Sequence, residues 1–321
     1  MAPTRTVLVT GGTIGLGFWA AQTIARAHPE YLVVISARSD ATSAADTINA
    51  ALNQTNTIFL PIDLASTANV RAFAETWASK SFPPIQALVL NAGIQLPGAL
   101  KLTAEGVETT FAINHVGHAL LFHLLAPHLA PNARVAITSS GTHDPAQKTG
   151  VSDAVYTSAE ALAHPPPDAV NIPGRQRYTT SKLANVLWTY ALQRRLNARA
   201  PERGITVNAF DPGLMPGTGL ARETNAVVRF LWKNVMPRML PVMRLLVSPN
   251  IHTPAESGAA LARLAIGEDL EGVGGKYFEG IRERESSVVS YEVAKQDDLW
   301  EWTVRFLRRD EEEGARWEEF K

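Results

Sequence analysis

Cysteine is absent from all 321 residues. That excludes disulfides, thiolate metal ligands and a cysteine nucleophile, and it agrees with a reducing compartment. An excess of one charge is missing too: 30 Lys and Arg stand against 31 Asp and Glu, a formal net charge of -1. Without a basic excess there is no electrostatic case for nucleic acid as a partner. No uninterrupted apolar run is long enough to be a transmembrane span. The chain passes from "MAPTRT" directly into its first apolar run with no charged-then-apolar leader, so the expected location is the cytoplasm. Internal repeats and low-complexity tracts are lacking as well. What remains is 45% hydrophobic and 19% charged residues, a globular composition with ample material for a core.

The stretch "VLVTGGTIGLGFWAAQTIA", Val7 to Ala25, changes character twice. Val7, Leu8 and Val9 form a short aliphatic run, which predicts a buried strand. Ala20, Ala21, Ile24 and Ala25 recur at helical spacing. Between them lie Gly11, Gly15 and Gly17, where backbone can come close to a ligand and the free N–H groups of a helix start suit a phosphate. The spacing is T-G-x-x-x-G-x-G rather than G-x-G-x-x-G, and a glycine turn that binds nothing is the plain alternative. Further apolar runs follow in "YLVVISAR", "TIFLPIDL", "QALVLNAG", "ARVAITSS", "ITVNAFDPG" and "GKYFEG", separated by amphipathic stretches. This alternation predicts an α/β fold, a doubly wound parallel sheet in a single domain over 1–321. Ligands in such sheets sit beyond the carboxyl ends of the strands. Gly11, Arg38, Asp63, Asn91, Ser140 and Asp211 gather there.

Two segments break the rhythm. Residues 141–177 contain "HPPPDAV" and "NIPGR" and read as an inserted loop region. Residues 214–254 include "VVRFLWKNVMPRMLPVMRLLV", Val227 to Val247, which Pro237 and Pro241 prevent from being one straight helix. A lid over an apolar pocket is the favoured expectation for it. A membrane-surface helix using Arg229, Lys233, Arg238 and Arg244, a protein contact, and ordinary core packing stay open. The tail, 291–321, ends in "RRDEEEGARWEEF" and is expected to be a solvated helical end.

Tyr178 and Lys182 lie in "YTTSKLANVLWTYALQRRL", where Leu183, Val186, Leu187 and Tyr190 set a helical period. At i and i+4 the phenol and ammonium share a face. A nearby cation lowers an acidic group's pKa by roughly 1–3 units, which would bring a phenol toward the range useful in acid–base catalysis. By chance alone, Y-x-x-x-K is common.

Taken in order, "TGGTIGLG", "NAG" at Asn91 to Gly93, Asn114 in "FAINHVGHALL", "ITSS" ending at Ser140, "YTTSK" and "DPG" at Asp211 to Gly213 resemble the short-chain dehydrogenase/reductase family over roughly residues 4 to 280. "NHVGHALL" and "PGLMPGTGL" resemble its retinol-dehydrogenase and protochlorophyllide-reductase-like branch. The resemblance implies a Rossmann-type fold with an apolar substrate-covering segment. It implies Tyr178 as the acid/base, Lys182 as the holder of the nicotinamide ribose, Ser140 rather than Ser139 as the group on the substrate oxygen, and Asn114 at a helix break with a water linking Lys182 to solvent. For the cofactor it implies Gly11, Thr13, Ile14, Gly15 and Gly17 around the pyrophosphate. Asp63 and Leu64 would lie at the adenine, Asn91, Ala92 and Gly93 beside the adenosine, and Pro212, Gly213 and Thr218 near the carboxamide. NAD enzymes carry an acidic residue at the end of the second strand. Here Ala37 and then Arg38 stand there, and an arginine suits a 2′-phosphate. Ile14 departs from the basic residue of many NADP-dependent relatives, so the expectation of NADP(H) rests on Arg38.

The histidines at 115, 118, 123 and 128 crowd one stretch, but without cysteine no metal is expected. His143 follows Ser140 closely and could border the substrate, but an exposed loop residue is the favoured expectation. The reading that follows is an NADPH-dependent carbonyl reductase of a bulky, lipophilic, secondary-metabolite-like substrate, as monomer or homodimer. Reduction of an activated C=C bond is the enzymatic rival, and a cofactor-binding regulatory scaffold is the non-enzymatic one. The intact Ser140, Tyr178 and Lys182 speak against the scaffold.

Overall fold

The computed structural model describes residues 2–218 and 226–320. Its strands are β1 (Arg5–Thr10), β2 (Tyr31–Ala37), β3 (Thr57–Pro61), β4 (Ile85–Leu90), β5 (Leu129–Thr138), β6 (Thr206–Asp211), β7 (Lys276–Glu279) and β8 (Arg282–Arg284). They form one sheet in the order β3-β2-β1-β4-β5-β6-β7-β8. Every pair is parallel except β7 with β8. The central strands are aliphatic because both faces are covered: Val7, Leu8 and Val9 are wholly buried. The six runs expected to be strands after the first all pair in this sheet. β8, with the sequence RER and all three residues exposed, has no apolar alternation to announce it. A short charged edge strand of this kind also discourages further pairing.

On one face lie the helices α1 (Gly15–Ala27) and α2 (Ala44–Leu52), with Leu16, Ile24 and Ile48 turned into the core. On the other lie α3 (Thr67–Ser79), α4 (Gly117–Leu125) and α5 (Gly174–Arg199), anchored by Val70, Phe73, Leu120 and Leu187. Downstream, α6 (Pro254–Ile266) joins the first face through Leu261 and Leu264, and α7 (Val293–Leu307) joins the second through Leu299. A capping box between Thr253 and Glu256 starts α6, and its Ser257 donates to the Pro212 carbonyl at 2.7 Å. The doubly wound architecture expected from the alternation is therefore present, with the order reversing between β1 and β4, where such sheets open a crevice.

Two expectations need correction. The tail is not a solvated end. Its final helix, α8 (Glu311–Glu318), buries Trp317, and Phe320 behind it is buried too. Trp317 stacks on His123 at 4.6 Å, and Glu313 pairs with Arg71 at 2.7 Å across the chain. The charges of the tail hid two aromatic anchors. The segment 141–177 is also more than loop. It holds short 3-10 turns and a helix Ala159–Ala163. Asp298 of α7 fixes that helix by accepting from the Tyr156 hydroxyl at 2.7 Å and the Ala159 N–H at 2.8 Å. Moreover α5 begins at Gly174, inside the expected insert.

Candidate active site

The carboxyl ends of β1, β2, β4, β5 and β6 open into a cavity of about 910 Å³. Every residue expected at the cofactor lines it, from Gly11 through Arg38, Asp63 and Asn91 to Gly213 and Thr218. Ser140, Tyr178 and Lys182 line it as well, whereas Asn114 does not.

The glycine turn is built for close approach. Gly11 and Gly15 hold positive φ, +66° and +57°. A Cβ on Gly17 would stand 2.3 Å from the Gly11 carbonyl oxygen and 2.6 Å from the Asn91 amide nitrogen. No side chain caps the start of α1. Its first N–H groups are therefore open to an anion in the cavity. Gly17→Ala is expected to destabilise the turn by about 1–3 kcal/mol, the usual cost of overpacking, and to weaken NADPH binding. Denaturant unfolding and a fluorescence titration with NADPH check this; unchanged values in both would show that the turn yields.

Thr10 ties the turn to "NAG". Its hydroxyl accepts from the Asn91 and Ala92 N–H groups at 2.9 and 3.0 Å, and its carbonyl accepts from the Asn91 side-chain amide at 2.9 Å. Asn91 thus lines the cavity while its amide nitrogen serves the scaffold. His118 Nε2 meets the Thr10 hydroxyl at 2.9 Å, and its Nδ1 meets the Asn114 carbonyl at 3.2 Å. A carbonyl only accepts, so in the neutral ring Nδ1 carries the proton and the Thr10 hydroxyl donates to Nε2.

Asn114 sits in a π-helical turn, Ala112–Val116, which gives physical form to the expected helix break. Its side-chain amide accepts from the Ile94 N–H at 2.8 Å and donates to the Ile94 carbonyl at 3.1 Å and the Ser181 hydroxyl at 2.9 Å. It holds the loop after β4 against α5.

Tyr178 and Lys182 are both buried on α5. The Lys182 Nζ lies 5.7 Å from the Tyr178 ring centre and donates to the Thr138 carbonyl at 3.0 Å. Burial lowers the Lys182 pKa to about 8, opposed by the buried Asp211 carboxylate. Burial also raises the Tyr178 phenol well above its ordinary value, Asp211 adds to the rise, and a hydrogen bond with Ser140 pulls it back in part. The expected lowering of the phenol by Lys182 is not found: desolvation dominates, and Tyr178 is a protonated donor at neutral pH.

The two serines separate cleanly. Ser139 is buried and donates to the Lys182 carbonyl at 2.8 Å. Ser140 accepts from the Thr142 N–H at 3.3 Å and from the Thr142 hydroxyl at 3.0 Å. Both bonds use its oxygen, so its own proton is the one that meets the Tyr178 phenol in the site.

Three neighbours of this group have surroundings that local sequence does not give, Asp211 among them although its place at a strand end was expected. Asp211 is buried at the end of β6, where its carboxylate accepts from the Gly213 N–H at 3.0 Å and the Asn250 amide at 2.8 Å. Arg175 lines the cavity three residues before Tyr178, a neighbour that helical spacing on α5 would have shown had the helix start been placed correctly. His143 is wholly buried, not an exposed loop residue. It contacts the Ser140 carbonyl through Nδ1 at 2.7 Å, and Nε2 accepts from the Ser287 N–H at 3.1 Å. A residue more than 140 positions away supplies that second bond, so nothing near His143 announces it.

At the adenosine end, Arg38 is exposed and has no hydrogen-bond or ion-pair partner among the described residues. Asp63 accepts from the Ala65 N–H at 3.0 Å through one oxygen. The Thr218 hydroxyl donates to the Met215 carbonyl at 3.0 Å, and its methyl would lie 3.8 Å from a Cβ on Gly15. These features fit a nicotinamide dinucleotide: an uncapped helix start, a turn with no room for side chains, and an unpaired cation at the end of β2.

The model of the short chain dehydrogenase family matches residues 5–162, and that of the AcuH dehydrogenase domain matches residues 220–316. The polyprenol dehydrogenase of Homo sapiens is 32% identical over 304 residues, covering 93% of this chain and 83% of that protein. The chain belongs to the short-chain dehydrogenase/reductase family. Retinol dehydrogenase 12 of Bos taurus, 29% identical over 98% of this chain and 88% of its own length, places it near the retinol dehydrogenase branch. Among solved structures, an angucycline C-6 ketoreductase with bound NADP shares the fold at a TM-score of 0.60 and 21% identity, over 86% of this chain and 95% of the other. Membership makes this chain an oxidoreductase of CH–OH and C=O groups. No helix among the described residues is long and apolar enough to cross a membrane.

Proposed function

We propose that the protein is an NADPH-dependent carbonyl reductase of a bulky, lipophilic substrate. One observation supports the cofactor most: Arg38 stands unpaired at the end of β2, where an acidic residue would repel a 2′-phosphate. Gly11, Gly15, Gly17 and the start of α1 would hold the pyrophosphate, Asp63 and Leu64 the adenine, and Lys182 with Thr218 the nicotinamide end. When bound, the cofactor supplies a hydride.

The remaining chemistry belongs to side chains. Ser140, with its oxygen occupied by Thr142, would turn its proton from the Tyr178 phenol to the substrate carbonyl oxygen and stabilise the charge that develops there. Tyr178, held protonated by burial, would pass its phenolic proton to the same oxygen. Lys182 keeps a positive charge beside the phenolate that results. A substrate of apolar character is supported by Ile94, Leu214, Met215, Val228, Trp232 and Val247 in the cavity wall.

Arg38→Asp is expected to reverse the cofactor preference. It replaces a cation facing the 2′-phosphate with an anion that repels it and can accept from the ribose hydroxyls. The ratio of kcat/KM for NADPH and NADH, measured on a panel of ketones and aldehydes, tests the reading. An unchanged ratio removes Arg38 as the discriminating residue. No turnover by the unaltered protein anywhere in the panel would favour a scaffold that binds the cofactor without using it.

A further inference from the structure

Between Val227 and Val247 nine large apolar side chains are exposed, and only Leu240 is buried. Core packing is therefore excluded for this stretch. Residues 219–225 of the expected substrate-covering segment lie outside the described residues. The rest is a helix Ala226–Phe230, a π-helical turn Leu231–Val235, a 3-10 turn Met236–Met239 that contains Pro237, and a short helix Leu240–Leu246 with Pro241 in its first turn. At the end of that helix Leu245, Leu246 and Val247 follow one another at 84%, 75% and 69% exposure. Val228, Trp232 and Val247 also line the cavity. The segment thus covers the site with Val228 and Trp232 and presents a bare aliphatic tip to solvent, with Val247 at the border of the two. A contiguous apolar patch at the rim of a site marks an interaction surface.

Charge selects the partner. No Asp or Glu occurs from residue 225 to residue 255, whereas Arg229, Lys233, Arg238 and Arg244 do. Arg244 is paired with Glu256. Lys233 and Arg238 are exposed, with no acidic side chain in ion-pair range among the described residues. A second copy of this chain, docked symmetrically, would set these cations against themselves, which is repulsive. An anionic bilayer offers phosphates to the cations and acyl chains to the tip.

We propose that this rim docks on an anionic lipid surface, with Leu245 to Val247 among the acyl chains and Lys233 and Arg238 at the headgroups. Docking puts the mouth of the cavity at the lipid boundary, so a lipophilic substrate enters without crossing water. Only this delivery step rests on the proposed carbonyl chemistry; the docking itself does not.

The test is co-sedimentation of the full chain with phosphatidylcholine vesicles, with and without phosphatidylglycerol. Binding is expected only with the anionic lipid and should fall as salt rises. The Leu245→Asp, Leu246→Asp double variant should lose about tenfold or more in partitioning, as two aliphatic anchors are removed. It should keep wild-type turnover on a small water-soluble carbonyl compound and an unchanged thermal midpoint. Failure of the wild type to bind anionic vesicles overturns the proposal, as does undiminished binding by the variant. A wild-type dimer in sedimentation velocity that the double variant dissociates would assign the tip to a second copy and overturn it too. Lipid binding without turnover by either protein would support docking and overturn only the carbonyl reading.

Discussion

Tyr178→Phe is expected to cut kcat/KM for carbonyl reduction by about 10²–10⁴-fold, the usual worth of a positioned general acid. The ring remains, so its packing on α5 and the neighbouring Lys182 ammonium is kept. Only the hydroxyl is lost, and with it the proton offered to the substrate oxygen. Among the described residues the phenol's hydrogen bond is the one with Ser140, so the fold should tolerate the change. NADPH affinity, read by fluorescence titration, should stay near that of the wild type. Residual activity above a tenth of wild type would remove Tyr178 from the acid role. The raised phenol pKa makes the pH dependence of reduction and oxidation differ. A protonated Tyr178 is ready to donate for reduction, whereas alcohol oxidation first needs it deprotonated, which burial and the Asp211 carboxylate oppose.

What was legible in the sequence follows from the range of the interactions. The first strand, the glycine turn and the start of α1 lie within twenty residues, so local period and turn chemistry reveal them. Tyr178 and Lys182 are one helical turn apart and need only a correct helix. Parallel strands buried on both faces announce themselves as aliphatic runs. The misses have the opposite character. His143 is fixed by Ser287, Asp211 by Asn250, Tyr156 by Asp298 and Arg71 by Glu313, and each partner lies outside any local window. Trp317 and Phe320 occur in a run of acids that a composition argument assigns to solvent, yet they close the core over His123 and Trp300. The segment from Val227 to Val247 was ambiguous for a different reason. Apolar residues with cations favoured a lid yet also describe a lipid-facing surface, and exposure of the tip is a property only of the folded chain.

The histidines that resembled a metal cluster make a second large prediction, an early loss of stability in mild acid. His115, His118 and His123 are all buried, and desolvation lowers their pKa values from 6.5 to about 3, about 4 and about 3. For His123 the Glu313 carboxylate opposes this but does not prevail. For His118 the hydrogen bond to the Asn114 carbonyl opposes it, while Lys182 reinforces it. The folded state therefore excludes protons that the unfolded chain binds below about pH 6.5. The stability contributed by the neutral rings is complete above that value and is lost as pH falls toward the folded values. At pH 5 each ring accounts for about 2 kcal/mol, and the three for about 6 kcal/mol. That is comparable with the whole stability of many domains, about 5–15 kcal/mol. Carboxylates held below their ordinary range, such as Glu313 and Glu256, lose their contribution only at lower pH and add little to the fall between pH 7.5 and 5. Denaturant midpoints measured across that interval should fall steeply. His123→Phe separates this cause from general acid sensitivity. Among the described residues neither ring nitrogen of His123 has a hydrogen-bond partner, and the ring packs among Phe122, Trp300 and Trp317. A phenylalanine keeps that packing and removes one titrating group. The variant should match or exceed wild-type stability at pH 7.5 and lose about 2 kcal/mol less on going to pH 5. An identical pH slope for variant and wild type would rule out His123 as a source of the acid sensitivity.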